Sequence, residues 1–366
     1  MVGGGVIGLA VAWQAAEAGW RVTVHDPGAN GLGPTAAAAW VAGGMLTPIT
    51  EGATAAEEAG YGLGADSLRR WPEFAAGLER ASGLPSGLRP EGSLAVGLTT
   101  DDLAELRLFA DRLADLGRRC TVLGPAQCRA LEPMLSAGVL GGVDIPGDLA
   151  VDNRALLAAL RQACRRSGVT LDPRAVTDLA ELPADQVVLA TGAWSSVLVP
   201  GVPVWPVKGE ILRLRRSPGT PPPPSHTIRA ALPGGHVYLV PRDEGVVVGA
   251  TQRDVGFDME VTAGSVARLL ADALTVMPEL GGYALAEAGA GLRPMTPDGL
   301  PLLGRLDDRV VLAVGHGRNG LLLAPITADL VLGALLAAEP VLAGVDIALV
   351  RPNRFPEIAT NARIAT

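Results

Sequence analysis

The chain contains 366 residues, which is long for one hydrophobic core and comfortable for two domains. Its formal charge is −8 at pH 7 and it has no basic cluster, which excludes a nucleic-acid partner because such binding depends on neutralising phosphates. The three cysteines, Cys120, Cys128 and Cys164, have neither metal-ligand spacing nor the even number of a disulfide framework. We therefore predict a protein of the reducing cytoplasm with no metal site.

Neither a secretory signal nor a membrane span is predicted. The N-terminus has no basic segment followed by an apolar one. The apolar stretch 321–338 contains Pro325, Thr327 and Asp329 and is too short to cross a bilayer. We expect this stretch to be a buried helix.

A glycine-rich turn lies almost at the first residue of the chain. Gly3, Gly5 and Gly8 have the G-x-G-x-x-G spacing that lets backbone amides approach a pyrophosphate at the N-terminus of a helix. A predicted helix over 11–19 and a predicted strand ending at Asp26 follow in the expected order. An acid at that strand end binds ribose hydroxyls and disfavours a 2′-phosphate, so the pattern predicts a dinucleotide other than NADP.

The strand that should precede this turn consists of Met1 and Val2. That strand is normally central in the sheet of a dinucleotide-binding fold. We therefore expect either that the native N-terminus is missing from this sequence or that both the sheet and the phosphate-binding turn are weakened.

Two more strand-glycine-helix units occur far downstream. Residues 186–194 form an apolar run interrupted by glycine, and residues 309–320 repeat that pattern before an apolar helix. Between them, the segments 205–215, 235–240 and 245–251 have the composition of antiparallel strands. This order predicts one parallel sheet interrupted by an inserted antiparallel sheet.

The predicted fold class is therefore α/β, or α+β overall, with a discontinuous Rossmann-like dinucleotide-binding domain. We assign residues 1–80, 145–205 and 290–366 to that domain. We assign residues 81–144 and 206–289 to an inserted substrate-binding domain that is built on the antiparallel sheet.

Six short segments, taken together and in this order, resemble the glycine oxidase family of the FAD-dependent D-amino acid oxidase superfamily. The resemblance covers nearly the whole chain. The first and third segments are common to many flavoproteins, whereas the last two are much more specific. The six segments are 3–8, 42–46, 190–194, 206–210, 290–294 and 315–320.

The resemblance implies a non-covalent FAD and the oxidative deamination of glycine, or of another small amine or D-amino acid. A hydride would pass from the substrate α-carbon to flavin N5, giving an imine and then glyoxylate and ammonia, and O₂ would reoxidise the flavin to give H₂O₂. The resemblance also implies a homo-oligomer, a role in the thiazole branch of thiamine biosynthesis, and a thiazole-synthesis partner that takes up the imine.

The same resemblance implies a set of cofactor contacts. Val176 would meet the adenine side, and the loop 315–320 would open a helix whose amides favour negative charge on the reduced flavin. Ala38 and Ala39 stand where relatives often have hydroxyl residues, so backbone groups or Thr35 would replace them. The implied contacts are Gly3, Gly5, Val6, Ile7, Gly8, Asp26, Gly43, Gly44, Met45, Val176, Thr191, Gly192, His316, Gly317, Arg318, Asn319, Gly320, Leu321 and Leu322.

Three residues are candidate catalytic residues by this resemblance, namely Arg293, Tyr238 and Arg318. Pro294 holds Arg293 in extended backbone, and a guanidinium can bind a carboxylate through two parallel hydrogen bonds. Tyr238 lies on a strand face from which its phenol could reach the same carboxylate. On spacing alone, Arg293 is equally an ordinary salt-bridged residue and Tyr238 a half-buried sheet residue. We leave His236 outside the catalytic set.

Three alternatives stay open. A D-amino acid or sarcosine oxidase would share these motifs, although sarcosine-type members with covalent flavin attach it to a C-terminal cysteine and no cysteine follows Cys164. An NAD-dependent dehydrogenase would explain the turn at 3–8 and Asp26 but not the distant motifs. A catalytically silent flavin-binding protein would follow from a damaged first strand.

Overall fold

The computed structural model of the protein describes residues 1–28, 37–48, 55–233, 235–338 and 346–355. Within these ranges the helices are α1 (Val6–Glu17), α2 (Ala38–Val41), α3 (Ala55–Ser82), α4 (Thr100–Asp115), α5 (Pro125–Leu131), α6 (Asn153–Arg166), α7 (Ser195–Leu198), α8 (Ala263–Val276) and α9 (Ala324–Leu335). The strands are β1 (Thr23–His25), β2 (Met45–Leu46), β3 (Leu88–Arg89), β4 (Ser93–Gly97), β5 (Thr121–Leu123), β6 (Gly141–Ile145), β7 (Leu149–Val151), β8 (Thr170–Asp172), β9 (Val187–Leu189), β10 (Trp205–Arg215), β11 (Thr227–Leu232), β12 (Gly235–Arg242), β13 (Gly245–Gly249), β14 (Ala284–Met295), β15 (Leu302–Arg305) and β16 (Val310–Val314).

Val2 joins two small sheets into one layer. It forms parallel bridges to His25 of β1 and to Leu189 of β9. β1 pairs in parallel with β8, β9 pairs in parallel with β16, and β15 pairs antiparallel with β16 at the edge. The short strand before the glycine turn is therefore central in this layer.

Four helices, α1, α3, α6 and α9, share the core beside this layer. Leu9 of α1, Leu160 of α6 and Ile326 of α9 are at most 1% exposed, so these helices bury their apolar sides against one another and against the sheet. Trp71 of α3 is fully buried and its indole N–H donates to the Leu322 carbonyl at 3.0 Å. The apolar stretch predicted to be a buried helix is α9.

The second layer is an eight-stranded sheet with the strand order β14-β10-β13-β12-β11-β4-β6-β5. Neighbouring strands are antiparallel except for β11 and β4, which pair in parallel with Thr227 opposite Ser93. The sheet predicted to be antiparallel is therefore mixed, because β4, β5 and β6 extend it. β14 runs through the predicted domain boundary at residue 290, and the domain boundaries stay predictions.

One face of this sheet, which we call the helix face, is covered by α8. Leu212, Leu239 and Val248 lie on it, and they pack with Leu269 and Ala273 of α8. All five side chains are fully buried. The part of the helix face under Leu269 and Ala273 is therefore an aliphatic core, as strand alternation dictates.

The opposite face, which we call the glycine face, looks toward α2 and the segment that precedes β2. The strand register places Tyr238, Gly249 and Ile211 side by side on this face. Gly209 and Arg293 belong to the same face further along β10 and β14. The candidate substrate residues therefore lie on the side that faces the predicted cofactor segment.

In the described ranges, no helix is both long enough and apolar enough to cross a membrane. Across the same residues, no group of three or more His, Cys, Asp or Glu side chains could hold a metal ion. Cys120, Cys128 and Cys164 are all free thiols.

Candidate active site

The glycine turn has the geometry of an anion site. Gly3 has a φ of 101°, in the left-handed region that favours glycine. Space is open where a Cβ at Gly5 would stand, so a ligand can approach the backbone there. α1 begins after Gly5 without a side-chain cap or an acidic residue in its first turn, which leaves its N-terminal amides and dipole to a phosphate. These features fit the pyrophosphate of a dinucleotide.

Asp26 closes this turn from the end of β1. Its Oδ2 accepts a hydrogen bond from the Gly4 amide at 2.6 Å, and its Oδ1 accepts one from the Gly28 amide at 2.7 Å. Each carboxylate oxygen retains lone-pair capacity for a ribose hydroxyl. Asp26 therefore orders the turn as well as presenting the acid that the sequence predicts for the ribose.

Arg242 fixes the segment predicted to lie along the flavin. Its Nη2 donates to the Gly43 carbonyl at 2.7 Å and to Asn153 Oδ1 at 3.1 Å. Gly44 has a φ of 93°, and a Cβ there would overlap the Val151 carbonyl oxygen. Burial lowers the pKa of Arg242 to about 10, which leaves it charged at neutral pH. The buried Arg242 guanidinium therefore fixes the backbone of this segment.

Asn153 connects this cation to α2. Its Nδ2 donates to the carbonyls of Ala39 and Trp40 at 2.6 and 2.9 Å, and its Oδ1 accepts from Arg213 and Arg242 at 3.0 and 3.1 Å. The fully buried amide thus uses two donors and two acceptor positions. Sequence analysis missed Asn153, because an asparagine at the start of a helix gives no sign of partners far away in the chain.

Arg293 extends across β10 on the glycine face. Its Nη1 donates to the Thr251 carbonyl at 3.0 Å and to the Lys208 carbonyl at 3.4 Å. Gly209 provides the space, because a Cβ there would overlap the guanidinium. Nη1 is therefore committed to the protein, while the edge formed by Nε and Nη2 keeps the fork geometry that matches a carboxylate.

The surroundings of Arg293 are electropositive. Burial lowers the pKa of Arg293, the Tyr238 phenol opposes that shift, and the charge of Arg318 lowers the pKa further. Among the described residues, no carboxylate is one of these electrostatic neighbours. Two cations therefore act on one region, and no carboxylate of the described residues offsets the charge of Arg293, which favours an anionic ligand beside it.

Tyr238 fills the gap between the glycine face and the predicted cofactor segment. A Cβ at Gly249 or at Gly43 would overlap its ring, so the ring lies between these two glycines. Burial raises the pKa of the phenol, although three neighbouring arginines oppose that shift. The phenol therefore stays protonated near neutral pH and is able to donate a hydrogen bond.

The loop after β16 carries two residues with different surroundings. Arg318 is exposed, and its charge acts on Arg293. His316 is 3% exposed, its Nε2 lies 3.0 Å from Thr327 Oγ1, and burial lowers its pKa to about 3. The neutral imidazole thus fastens the loop to α9. The helix predicted after this loop is present as α9, which begins at Ala324, and a turn at 321–323 separates it from the loop.

Residues 1–333 match the family model DAO, whose description is FAD dependent oxidoreductase. The chain belongs to this family. The prediction of FAD, rather than a nicotinamide, is thereby confirmed. The glycine turn is the part of this FAD dependent oxidoreductase whose geometry fits the cofactor, and the contacts predicted for Asp26, Gly43 and Gly44 stay predictions.

Relatives of this FAD dependent oxidoreductase carry related names. The chain is 36% identical over 349 residues to the bifunctional protein ThiO/ThiG of Trichormus variabilis, covering 90% of this chain and 51% of that protein. It is 33% identical over 353 residues to the glycine oxidase of Geobacillus kaustophilus, covering 90% of both chains. The chain thus spans about half the length of the ThiO/ThiG relatives that it matches.

The structural comparison agrees with the sequence comparison. The crystal structure of glycine oxidase from Geobacillus kaustophilus superimposes with a TM-score of 0.83 and 29% identity, covering 96% of each chain. The predicted fold class and the predicted relationship to glycine oxidases are therefore confirmed. The roles of individual site residues stay predictions.

The structure places most of the predicted cofactor residues around the glycine turn and the glycine face. Gly3 lies against the backbone just before Thr191 and Gly192, because a Cβ at Gly3 would overlap the Ala190 carbonyl. Met45 packs in the cluster that also contacts Tyr238. Val176 packs against the cluster that contains Val2.

The other residues named in the sequence analysis have different surroundings. Leu321 and Leu322 are buried, and the Leu322 carbonyl accepts a hydrogen bond from Ser67 Oγ at 2.6 Å. His236 is exposed on β12. Thr35 lies outside the described residues.

Proposed function

We propose that this chain oxidises glycine, or a similarly small amino acid, to the imine, which hydrolyses to glyoxylate and ammonia while O₂ is reduced to H₂O₂. The observation that carries the proposal is the environment of the Arg293 guanidinium. Tyr238 and Arg318 act on it electrostatically, and no carboxylate of the described residues is among the groups that shift its pKa. The name of the Geobacillus kaustophilus relative, glycine oxidase, supports the same activity.

Recognition begins with the substrate carboxylate. Arg293 uses Nη1 to bond two backbone carbonyls, so its Nε and Nη2 edge is oriented by the protein before a ligand arrives. Tyr238 adds a neutral hydroxyl donor on the same face. A pre-oriented fork and a phenol would hold one carboxylate in a single orientation, which directs the substrate α-carbon.

Substrate size is limited by the same aromatic ring. Tyr238 is enclosed by Gly43 and Gly249, so the ring occupies the room between the sheet and the cofactor segment. A side chain on the substrate α-carbon would compete with the phenol for space. This packing supports glycine over larger amino acids.

The two guanidinium charges also act on the substrate nitrogen. Cations at Arg293 and Arg318 disfavour an ammonium nearby and therefore lower the pKa of the amine. The neutral amine has the lone pair that stabilises loss of hydride from the α-carbon. FAD, when bound, accepts that hydride and passes the electrons to O₂.

The proposal extends to a partner and a compartment. Because the relative in Trichormus variabilis is named ThiO/ThiG, we propose that the imine is delivered to a thiazole-synthesis partner in thiamine biosynthesis. The free thiols support a reducing cytoplasm. Assembly into a homo-oligomer stays a prediction.

Arg293→Ala tests the proposed function. We expect the KM for glycine to rise by about 30- to 5,000-fold, since removing one partner of a charged pair costs roughly 2 to 5 kcal/mol. The measurement is steady-state H₂O₂ production, together with anaerobic bleaching of the visible flavin band on addition of glycine. Arg305→Ala, at an exposed arginine of β15, is the matched control and should leave the KM unchanged.

The outcomes separate the alternatives. A flavin band that D-alanine or sarcosine bleaches and glycine does not would identify another amino acid oxidase of this family. An Arg293→Ala protein with the KM of the parent would remove Arg293 from the site. A flavin band that no amino acid bleaches would mean a flavin-binding protein without this activity.

A further inference from the structure

Arg293 is oriented by carbonyls that are themselves held from the other side of the sheet. Both acceptors of Nη1 are backbone groups, one at Lys208 on β10 and one at Thr251 just after β13. Backbone amides and carbonyls of Lys208 and Arg253 bond each other at 2.9 and 3.0 Å, which joins the segment after β13 to β10. The position of the guanidinium therefore depends on how firmly this segment is anchored.

Glu210 anchors that segment through Thr251. The Thr251 hydroxyl donates to Glu210 Oε2 at 2.8 Å and accepts from the Glu210 amide at 2.9 Å, and the Thr251 amide donates to the Glu210 carbonyl at 3.1 Å. Both residues are less than 5% exposed. Three bonds between two buried residues leave the Thr251 carbonyl little freedom to move.

The remaining capacity of the Glu210 carboxylate is used at the start of α8. Oε1 accepts from the Thr262 amide at 2.8 Å, and Oε2 accepts from Ser265 Oγ at 2.5 Å. Burial alone would raise the pKa of Glu210, but the hydrogen bonds from Ser265, Thr262 and Thr251 lower it below its ordinary value. The carboxylate is thus ionised and fully engaged at a helix N-terminus, so it does not compete with a substrate for Arg293.

Lys208 completes the anchor on the helix face. Its side chain is fully buried, and its Nζ donates to Asp258 Oδ2 at 2.5 Å and to the Glu260 carbonyl at 2.8 Å. Glu210 therefore holds both ends of the stretch 251–262, and Lys208, two positions away on the same strand, holds Asp258 and Glu260 within it. The proposed reaction uses neither charge directly, although both are buried at a cost in desolvation free energy.

We propose that Glu210 is a positioning residue for Arg293, acting through Thr251. Glu210 and Lys208 hold the stretch 251–262 from the helix face, and the Thr251 carbonyl sets the guanidinium on the glycine face. The inference rests on the proposed function, in which Arg293 binds the substrate carboxylate. It predicts that binding of a carboxylate depends on a hydrogen bond that no ligand touches.

Thr251→Val and Ser265→Ala form the matched test, because each removes a hydroxyl from the same Glu210 oxygen and only Thr251 leads to Arg293. We expect Thr251→Val to raise the KM for glycine and the inhibition constant for acetate by about tenfold, as small misplacements of a binding group do, with kcat and the flavin content nearly unchanged. Ser265→Ala should leave both constants within about twofold of the parent. Equal effects of the two variants, or an unchanged acetate constant in Thr251→Val, would overturn the inference.

Two further variants complete the test. Glu210→Gln should keep the acetate constant near that of the parent, because an amide can accept from Thr262 and the two hydroxyls can reverse their direction. Glu210→Ala should raise it, and if that protein does not fold, the Thr251 and Ser265 pair still decides. In the Arg293→Ala background, Thr251→Val should cause no additional rise. If Arg293→Ala raises the KM and Thr251→Val does not, the positioning role fails while the proposed function stands; if Arg293→Ala has no effect, the proposed function fails.

Discussion

The two faces of the eight-stranded sheet are made by the same strands, but one packs against α8 and the other lines the candidate site. Tyr238 and Leu239 are consecutive residues of β12, yet the tyrosine lies over glycines beside the candidate site and the leucine is fully buried under α8. The helix face has side chains at almost every position. On the glycine face, Gly209 and Gly249 omit side chains so that an arginine and a tyrosine can lie flat across the strands.

This difference shows how one sheet separates stability from function. The helix face provides the buried apolar area that keeps the strands together. The glycine face gives up such area, because glycine has no side chain to pack and loses more conformational freedom on folding. We therefore expect changes to the aliphatic side chains of the helix face under α8 to affect stability, and changes on the glycine face to affect binding.

The largest effect is expected on the helix face. Leu239→Ala should lower the free energy of unfolding by about 2 to 5 kcal/mol, since it removes a fully buried side chain and leaves a cavity. The kcat and the KM of the folded, flavin-containing fraction should stay unchanged. Urea unfolding and steady-state kinetics measure the two quantities, and a KM that rises along with the loss of stability would show that the aliphatic core under α8 also shapes the binding site.

The next effect is expected on the glycine face. Gly209→Ala introduces a Cβ that overlaps the Arg293 guanidinium, so kcat/KM for glycine should fall by about 100-fold while stability changes little. Gly289→Ala is the control, because a Cβ there meets its nearest neighbour at an ordinary 3.6 Å. Similar kinetics for the two variants would mean that the space over Gly209 is not used by Arg293.

A pH measurement extends the comparison of the two faces to the loop after β16, which carries His316. His316 has a folded-state pKa of about 3, so between pH 6.5 and 3 its imidazole binds a proton in the unfolded chain but not in the folded protein. The free energy of unfolding therefore falls as the pH decreases through this range. At pH 5 this group should have removed about 2 kcal/mol relative to pH 7.5. The side chain of His316→Gln does not titrate. Between pH 7.5 and pH 5 the free energy of unfolding of this variant, measured in urea, should therefore fall by about 2 kcal/mol less than that of the parent. Parallel losses in both proteins would contradict a buried neutral imidazole.

The smallest effect is expected for the phenol itself. Tyr238→Phe keeps the ring between Gly43 and Gly249 and removes one hydroxyl donor. We expect the KM for glycine to rise by about tenfold, the low end of the range for a hydrogen bond to a charged group, with unfolding free energy nearly constant. An unchanged KM would mean that the phenol shapes the site without bonding the carboxylate.

Local patterns in the sequence were sufficient for several parts of the site. The glycine turn, the strand that ends at Asp26 and the extended backbone at Arg293 are each set by neighbouring residues. The three strands β10, β12 and β13 follow from alternation and turn residues and are found where the sequence predicts them. Motif resemblance then identified which of these residues belong together.

The rest depends on register between distant strands. Alternation assigns Lys208 and Glu210 to one face of β10. It does not indicate that Asp258 and Ser265, much later in the chain, form hydrogen bonds with them. The space that Gly209 leaves for Arg293 exists only once β10 and β14 pair in one particular register. No local pattern indicated that β4, β5 and β6 would widen the sheet, because β4 pairs with β11, which lies far away in the chain, and β6 and β5 are added beyond β4.

The central position of Val2 has a consequence for the order of events during synthesis. Its neighbour Gly3 packs against residue Ala190, and β9 in turn pairs with β16 near the other end of the fold. Contacts so far apart in the chain form late and slowly, because a long loop must close first. The glycine turn is synthesised before β9 and β16 but becomes a binding site only after those strands have paired, so FAD binds chains that have already closed the sheet.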